Sequence, residues 1–179
     1  MKVYLAGFDV FRPDVDAVFQ DLREQASRLG LVAVAPLDGE PGPAGQSPAE
    51  QAHRIYRDNI SMLSSADAVI ANLAPFRGHE PDSGTVFEVG FAIARGIPVV
   101  GYGVPPGSYS ERFRAGHACV QDEAGAWREP GTGMLVEDFG LPLNLMLACS
   151  IELRATASEA LQALARRAAA KVAILRAHD

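Results

Sequence analysis

At 179 residues, 48% hydrophobic and 21% charged, the chain is long and apolar enough for one domain with a sizeable core, which excludes a disordered protein. No apolar run reaches bilayer length, and Met1-Lys2 leads straight into a short strand-like run without a signal peptide's long apolar stretch, so a cytoplasmic protein is expected. The formal charge of −6 comes with no basic run, which argues against a nucleic-acid polymer as partner and leaves small ligands open. Cys119 and Cys149 lie in unlike contexts with no metal-ligand spacing and read as free thiols.

Lys2 to Ala6 reads as a strand ending at Gly7. After a loop, Val15, Val18, Phe19, Leu22, Ala26 and Leu29 recur at helical spacing, and Gly30 stops the helix. Leu31 to Ala35 is a second strand, and the Gly- and Pro-rich stretch from Asp38 to Pro48 is a loop at its end. Ala52, Ile55, Tyr56, Ile60 and Leu63 give a helix over 49–65, followed by a third strand from Ala68 to Leu73. Asp82 to Gly96 reads as the crossover helix to a fourth strand, Ile97 to Tyr102. Its apolar residues spread round most of the wheel, so burial on more than one side is expected. The stretch 103–133 has no sustained period and reads as a surface excursion with a short helix near Ser110 to Gly116. Met134 to Val136 reads as a fifth strand and Asn144 to Ile151 as a buried helix. A last helix from Ser158 to about Arg176 carries Leu161, Leu164, Ala168, Val172 and Leu175 on one stripe.

Alternating apolar strands and amphipathic helices predict an α/β fold, a doubly wound parallel sheet of five strands in a single domain. Ligands of such sheets gather at the carboxyl ends of the strands. The segments there are 7–11, 37–38, 72–88 and the loop after Tyr102, and most of the polar residues of interest fall in them.

Asp82 and Glu88 are two carboxylates six residues apart at the start of the crossover helix, where Gly84 lets a ligand approach the backbone amides. Asp82 alone reads as an ordinary N-cap, and Asp67, just ahead of the third strand, reads equally as a turn residue or a ligand contact. Glu88 is different, because its helix offers little solvated face and a buried carboxylate without a task is costly. Carboxyls sharing a pocket have their ionisation pushed apart, one anionic and one able to give a proton, as glycosidic-bond chemistry requires. Tyr4 is placed either to hold Glu88 in one rotamer or to fill the sheet core.

Tyr4-Leu5-Ala6-Gly7, the run Ser65 to Leu73, Pro75-Phe76-Arg77-Gly78, the run Asp82 to Gly90, and Asp138 to Leu147 together resemble the nucleoside 2-deoxyribosyltransferase family. The resemblance implies a flavodoxin-like sheet, homo-oligomers with shared sites, and retaining transfer of 2-deoxyribose between nucleobases without metal or organic cofactor. Its partners would be deoxynucleosides and free nucleobases. By that resemblance Glu88 is the nucleophile at C1′, Asp82 and Asp67 contact and protonate the leaving base, and Tyr4 orients Glu88. Asn144 matches an asparagine that reaches a neighbouring subunit's site. Gly7, Phe8, Phe11 and Asp38 are base-pocket candidates by position, and Arg77 either touches the ligand or pairs with an acid in its loop. A hydrolase passing the sugar of a nucleoside or its 5′-monophosphate to water is the alternative, although Asp9 in the first loop counts against a phosphate there. A non-catalytic nucleotide-binding module is the second alternative, since fold does not decide function.

Overall fold

The computed structural model describes residues 1–39 and 42–176. Its elements are β1 (Lys2–Ala6), α1 (Val15–Arg28), β2 (Val32–Val34), α2 (Pro48–Ser64), β3 (Ala68–Asn72), α3 (Ser83–Ala94), β4 (Val99–Tyr102), α4 (Tyr109–Gly116), β5 (Val120–Gln121), β6 (Trp127–Arg128), α5 (Leu145–Ala148), β7 (Glu152–Leu153) and α6 (Ala157–Arg176). Single 3-10 turns cover Phe8–Phe11 and Pro36–Asp38.

Five strands form one parallel sheet in the order β2-β1-β3-β4-β7. The two-residue period of a strand sends alternate side chains of β1 to opposite faces. Val3 and Leu5 pack with Ile70 and Val100 against α1 and α6, through Phe19, Leu22, Leu161 and Leu164. Tyr4 and Ala6 pack with Val69 and Ala71 against α2 and α3, through Leu63, Val89 and Ala92. The sheet is therefore covered on both faces, as its unbroken apolar strands require. Val172 and Leu175 lie outside the residues whose side chains are described. No described helix is long and apolar enough to cross a membrane.

Three expectations are corrected. The fifth strand of the sheet is Glu152–Leu153, paired with Val100 and Gly101, and not Met134 to Val136. That apolar triplet instead extends the antiparallel β5-β6 hairpin, with Leu135 bridged to Arg128 and Val136 N–H donating to Trp127 O at 2.9 Å. Glycine at 101 makes room for the true edge strand: a Cβ there would come within 2.9 Å of Leu73, Ile151 and Leu153 side-chain carbons. The helix expected over 144–151 is only α5, with Asn144 as its N-cap. Finally, α3 buries one stripe, Thr85, Val89 and Ala92, while Phe87 is 52% and Ile93 38% exposed.

Candidate functional site

The chain runs from β1 to β2 on one side and returns to β3 on the other, so the order reverses at β1, and a crevice opens there outside the carboxyl ends of the strands. A cavity of about 370 Å³ fills it. The end of β1 contributes Gly7, Val10 and Phe11, the end of β2 Pro36 and Leu37, α2 Ile55 and Asn59, and the first turns of α3 Asp82, Gly84, Thr85 and Glu88.

Asp82 caps α3 in the way its residue type favours. Its Oδ2 accepts from Thr85 N–H at 2.9 Å and from Thr85 Oγ1 at 3.0 Å. Gly84 is small for a reason, since a Cβ there would lie 3.0 Å from that same Oδ2. Six residues after the cap, Glu88 meets the sheet, and Tyr4 Oη donates to its Oε1 at 2.6 Å. Tyr4 is fully buried and Glu88 half-buried at the cavity wall, so the bond is partly shielded from water.

Burial pushes the Glu88 carboxyl up to about 7; the Tyr4 hydroxyl pulls against this, and the negative charge of Asp82 adds to it. The Tyr4 phenol is raised far above its ordinary value by burial and then by Glu88, so it stays a donor. A carboxyl poised near neutrality beside a second carboxyl can hold or release a proton, or act as a nucleophile, without a large cost for either state.

Other expected site residues sit differently. Asp67 lies at the amino end of β3, where Oδ2 accepts from Lys2 N at 2.7 Å and its N–H donates to Lys2 O. Five residues of extended strand separate it from the carboxyl edge, roughly 15 Å, so it is a turn residue outside the cavity. Asp38 is committed to its own turn, with Oδ2 accepting from Ala35 N–H at 2.8 Å and Oδ1 paired with Arg23. Among the described residues Arg77 pairs with no acid. In a left-handed conformation (φ 54°), it lays its guanidinium 4.7 Å from the Phe76 ring centre and 5.5 Å from that of Phe11. Phe76 in turn stacks with both Phe8 and Phe11, with centres 5.1 and 5.4 Å away. Phe8 thus supports the rim through Phe76, whereas Phe11 reaches the cavity itself.

Asn144 does not reach the Glu88 cavity within the chain. It donates to Glu137 Oε2 at 2.9 Å and lines a second cleft with Val86, Gly90 and Ile93, on the opposite side of α3.

Asn59 was not legible as a site residue. It follows Ile55 by one helical turn on the face of α2 that meets the cavity, and its Oδ1 is buried without a hydrogen-bond partner among the described residues. A buried polar atom left open beside a cavity invites a ligand. The signal was only its four-residue spacing from Ile55, which a solvated helix face also produces.

Gly7 is held to glycine by space. A Cβ would lie 2.8 Å from Asp9 Oδ2 and 2.9 Å from Asn72 Cβ. Gly7→Ala is expected to destabilise the fold by about 1–3 kcal/mol, measured by urea denaturation, and an unchanged midpoint would contradict this packing.

The family model for nucleoside 2-deoxyribosyltransferase matches residues 3–146. The structure is similar to that of the 2-desoxiribosyltransferase from Leishmania mexicana, at 30% identity and a TM-score of 0.73, covering 92% of this chain and 97% of that one. A conserved protein from Enterococcus faecalis V583 shares the fold at 19% identity and a TM-score of 0.56, over 93% of this chain and 98% of that one. In sequence the chain is 36% identical over 115 residues to the uncharacterized protein C191.05c of Schizosaccharomyces pombe, and the match spans 63% of this chain and about half, 54%, of that relative's length. With the family segment covering β1 to α5 and carrying Tyr4, Asp82 and Glu88, the chain belongs to the nucleoside 2-deoxyribosyltransferase family.

Proposed function

We propose that the protein transfers 2-deoxyribose between nucleobases by a retaining double displacement. The observation that carries this reading is the Tyr4–Glu88 hydrogen bond at the wall of a cavity that also holds Asp82. Glu88 Oε2 attacks C1′ of a deoxynucleoside. The C1′–N bond breaks, its electron pair stays on the base nitrogen, and Asp82 gives that base a proton. A second base then attacks C1′ on the original face, the ester bond to Glu88 breaks with its electron pair returning to the carboxylate, and Asp82 takes the incoming base's proton. Two inversions give net retention.

The two carboxyls share one proton in this scheme. Burial, which raises the Glu88 carboxyl to about 7, favours its holding that proton in the free enzyme at and below neutral pH. Positive charge developing on the sugar favours the Glu88 anion, while the base's lone pair favours protonated Asp82, so substrate moves the proton to where each role needs it. Asn59 offers its carboxamide to the base or sugar, and Phe11 offers a ring for stacking. Among the described residues no side chain lining the cavity is cationic, which favours unphosphorylated nucleosides over 5′-monophosphates.

A second copy of the chain completes the scheme. The apolar strip of α3 at Phe87, Gly90 and Ile93, with Tyr56 beside Phe87 and Met146 across the second cleft, suits burial against a neighbour whose Asn144 region approaches the Glu88 cavity. The deciding experiment incubates the purified protein with single deoxynucleosides, each with and without a different free base. A new deoxynucleoside that depends on the added base is expected. Base and free deoxyribose alone would make the protein a hydrolase, and no change on any substrate would reject both chemistries.

A further inference from the structure

A buried polar pair outside the cavity has no part in the chemistry proposed above. Asp9 is 6% and Asn72 9% exposed, and Asn72 Nδ2 donates to Asp9 Oδ2 at 2.9 Å. The surrounding backbone is shaped to admit the pair. Gly7 leaves room for the Asp9 carboxylate and for Asn72 Cβ, and Gly103, at φ +80°, would place a Cβ 2.8 Å from Asn72 Oδ1. The pair thus sits where the carboxyl ends of β1, β3 and β4 converge.

Its bonds lead to two loops. Asp9 belongs to the turn Phe8–Phe11, and Asn72 Oδ1 accepts from Ala74 N–H at 3.2 Å, the first step of the loop that carries Phe76 and Arg77. The rings of those two loops stack on one another, Phe76 with both Phe8 and Phe11. One side-chain hydrogen bond therefore pins both bases of an aromatic platform at the cavity rim. A charged acceptor buried this deeply is costly to leave unpaired, so the bond holds the loops firmly.

We propose that Asp9 and Asn72 are positioning residues that register the Phe8–Phe11 turn against the Phe76 loop and thereby set the stacking platform for the nucleobase. The part that concerns the nucleobase rests on the function proposed above; the registration of the loops does not.

The test uses Asn72→Asp, which keeps an acceptor for Ala74 N–H and sets two carboxylates face to face, and the reciprocal double variant Asp9→Asn/Asn72→Asp, in which the same bond runs in the reverse direction. Two readouts are taken on the full chain. The first is hydrogen–deuterium exchange of backbone amides in 7–12 and 74–81. Asn72→Asp is expected to speed exchange in both segments and the double variant to restore protection. The second is steady-state kinetics with a deoxynucleoside, where Asn72→Asp is expected to raise KM about tenfold with kcat changed less than about threefold, and the double variant to recover KM. If exchange changes in one segment or neither, or if the exchanged pair fails to recover protection, the registration proposal is overturned. Loss of kcat in proportion to kcat/KM would overturn the platform role. Wild-type protein inert on every nucleoside would reject the underlying function while the exchange data still decide the registration of the loops.

Discussion

Replacing Glu88 with glutamine is expected to lower base exchange by at least about 10³-fold while the protein stays folded. Glutamine keeps the shape of the side chain and an oxygen for the Tyr4 hydroxyl, so only nucleophilicity and the titrating proton are lost. The other carboxyl of the cavity, Asp82, is tied by Thr85 to the cap of α3, six residues earlier, and cannot take over the attack. Near-normal turnover in folded Glu88→Gln would remove the covalent mechanism. The same variant has a thermodynamic signature. The fold holds the Glu88 proton up to a pH of about 7, whereas the unfolded chain releases it near the ordinary value of 4.5. From about 4.5 to about 7 the native state therefore binds more protons than the unfolded state, and stability falls as pH rises, reaching its full cost above 7. At about 1.4 kcal/mol per pH unit that cost is on the order of 3 kcal/mol. Glu88→Gln should recover most of it at pH 8 and none of it at pH 4, as read by urea denaturation at the two pH values. An equal effect at both would mean that the carboxyl is not strained by burial.

The second large effect concerns pH and Tyr4. If Glu88 and Asp82 work with one shared proton, kcat/KM falls about tenfold per pH unit above a break near 7, because the free enzyme's pair then loses that proton. Tyr4→Phe deletes the hydroxyl that holds the Glu88 carboxyl down, so the break moves to higher pH, and at pH 8 the variant loses less, relative to its own maximum, than the wild type does. Its maximal rate should still drop by roughly tenfold or more, since an unheld carboxylate samples unproductive rotamers. A rate that instead rises through pH 7 would show that the proton for the leaving base comes from elsewhere and that Asp82 is not the acid.

The parts of this molecule that could be read from its sequence are those whose physics is local. The apolar runs of β1, β3 and β4 and the periodic faces of α1 and α2 specify their own structure, and their alternation specifies the layers. The last sheet strand has no such signal. Glu152–Leu153 is two residues long, and it joins β4 because Gly101 leaves space for it, which is a tertiary fact. Met134 to Val136 looked more like a strand and did extend, but onto a hairpin. The site divides in the same way. Tyr4, Gly7, Phe11, Asp82, Gly84 and Glu88 line or adjoin one cavity because they follow strand ends or open a helix. Asp67 was attractive as a carboxylate beside a strand, but it flanks the amino end, and ligands collect at the other. Asp38 is at the correct end and is taken up by its own backbone and Arg23, a competition that spacing does not reveal. The converse holds for Asn59, whose helix reads as amphipathic and whose open oxygen becomes visible only when β1 and α3 are brought alongside it.

The family segment and the folded unit end at different places. The matched family segment stops at residue 146, ahead of β7 and α6, yet Leu161 and Leu164 are fully buried against Val3, Leu5, Ile70 and Val100. The family segment thus carries the candidate site and α1, while the α1 face of the sheet is closed only with α6, which lies beyond that segment. A boundary drawn at residue 146 would divide a cooperative unit, baring an apolar face and an unpaired strand edge along β4, both of which invite aggregation. The unit that folds therefore extends past the residues that the family model matches.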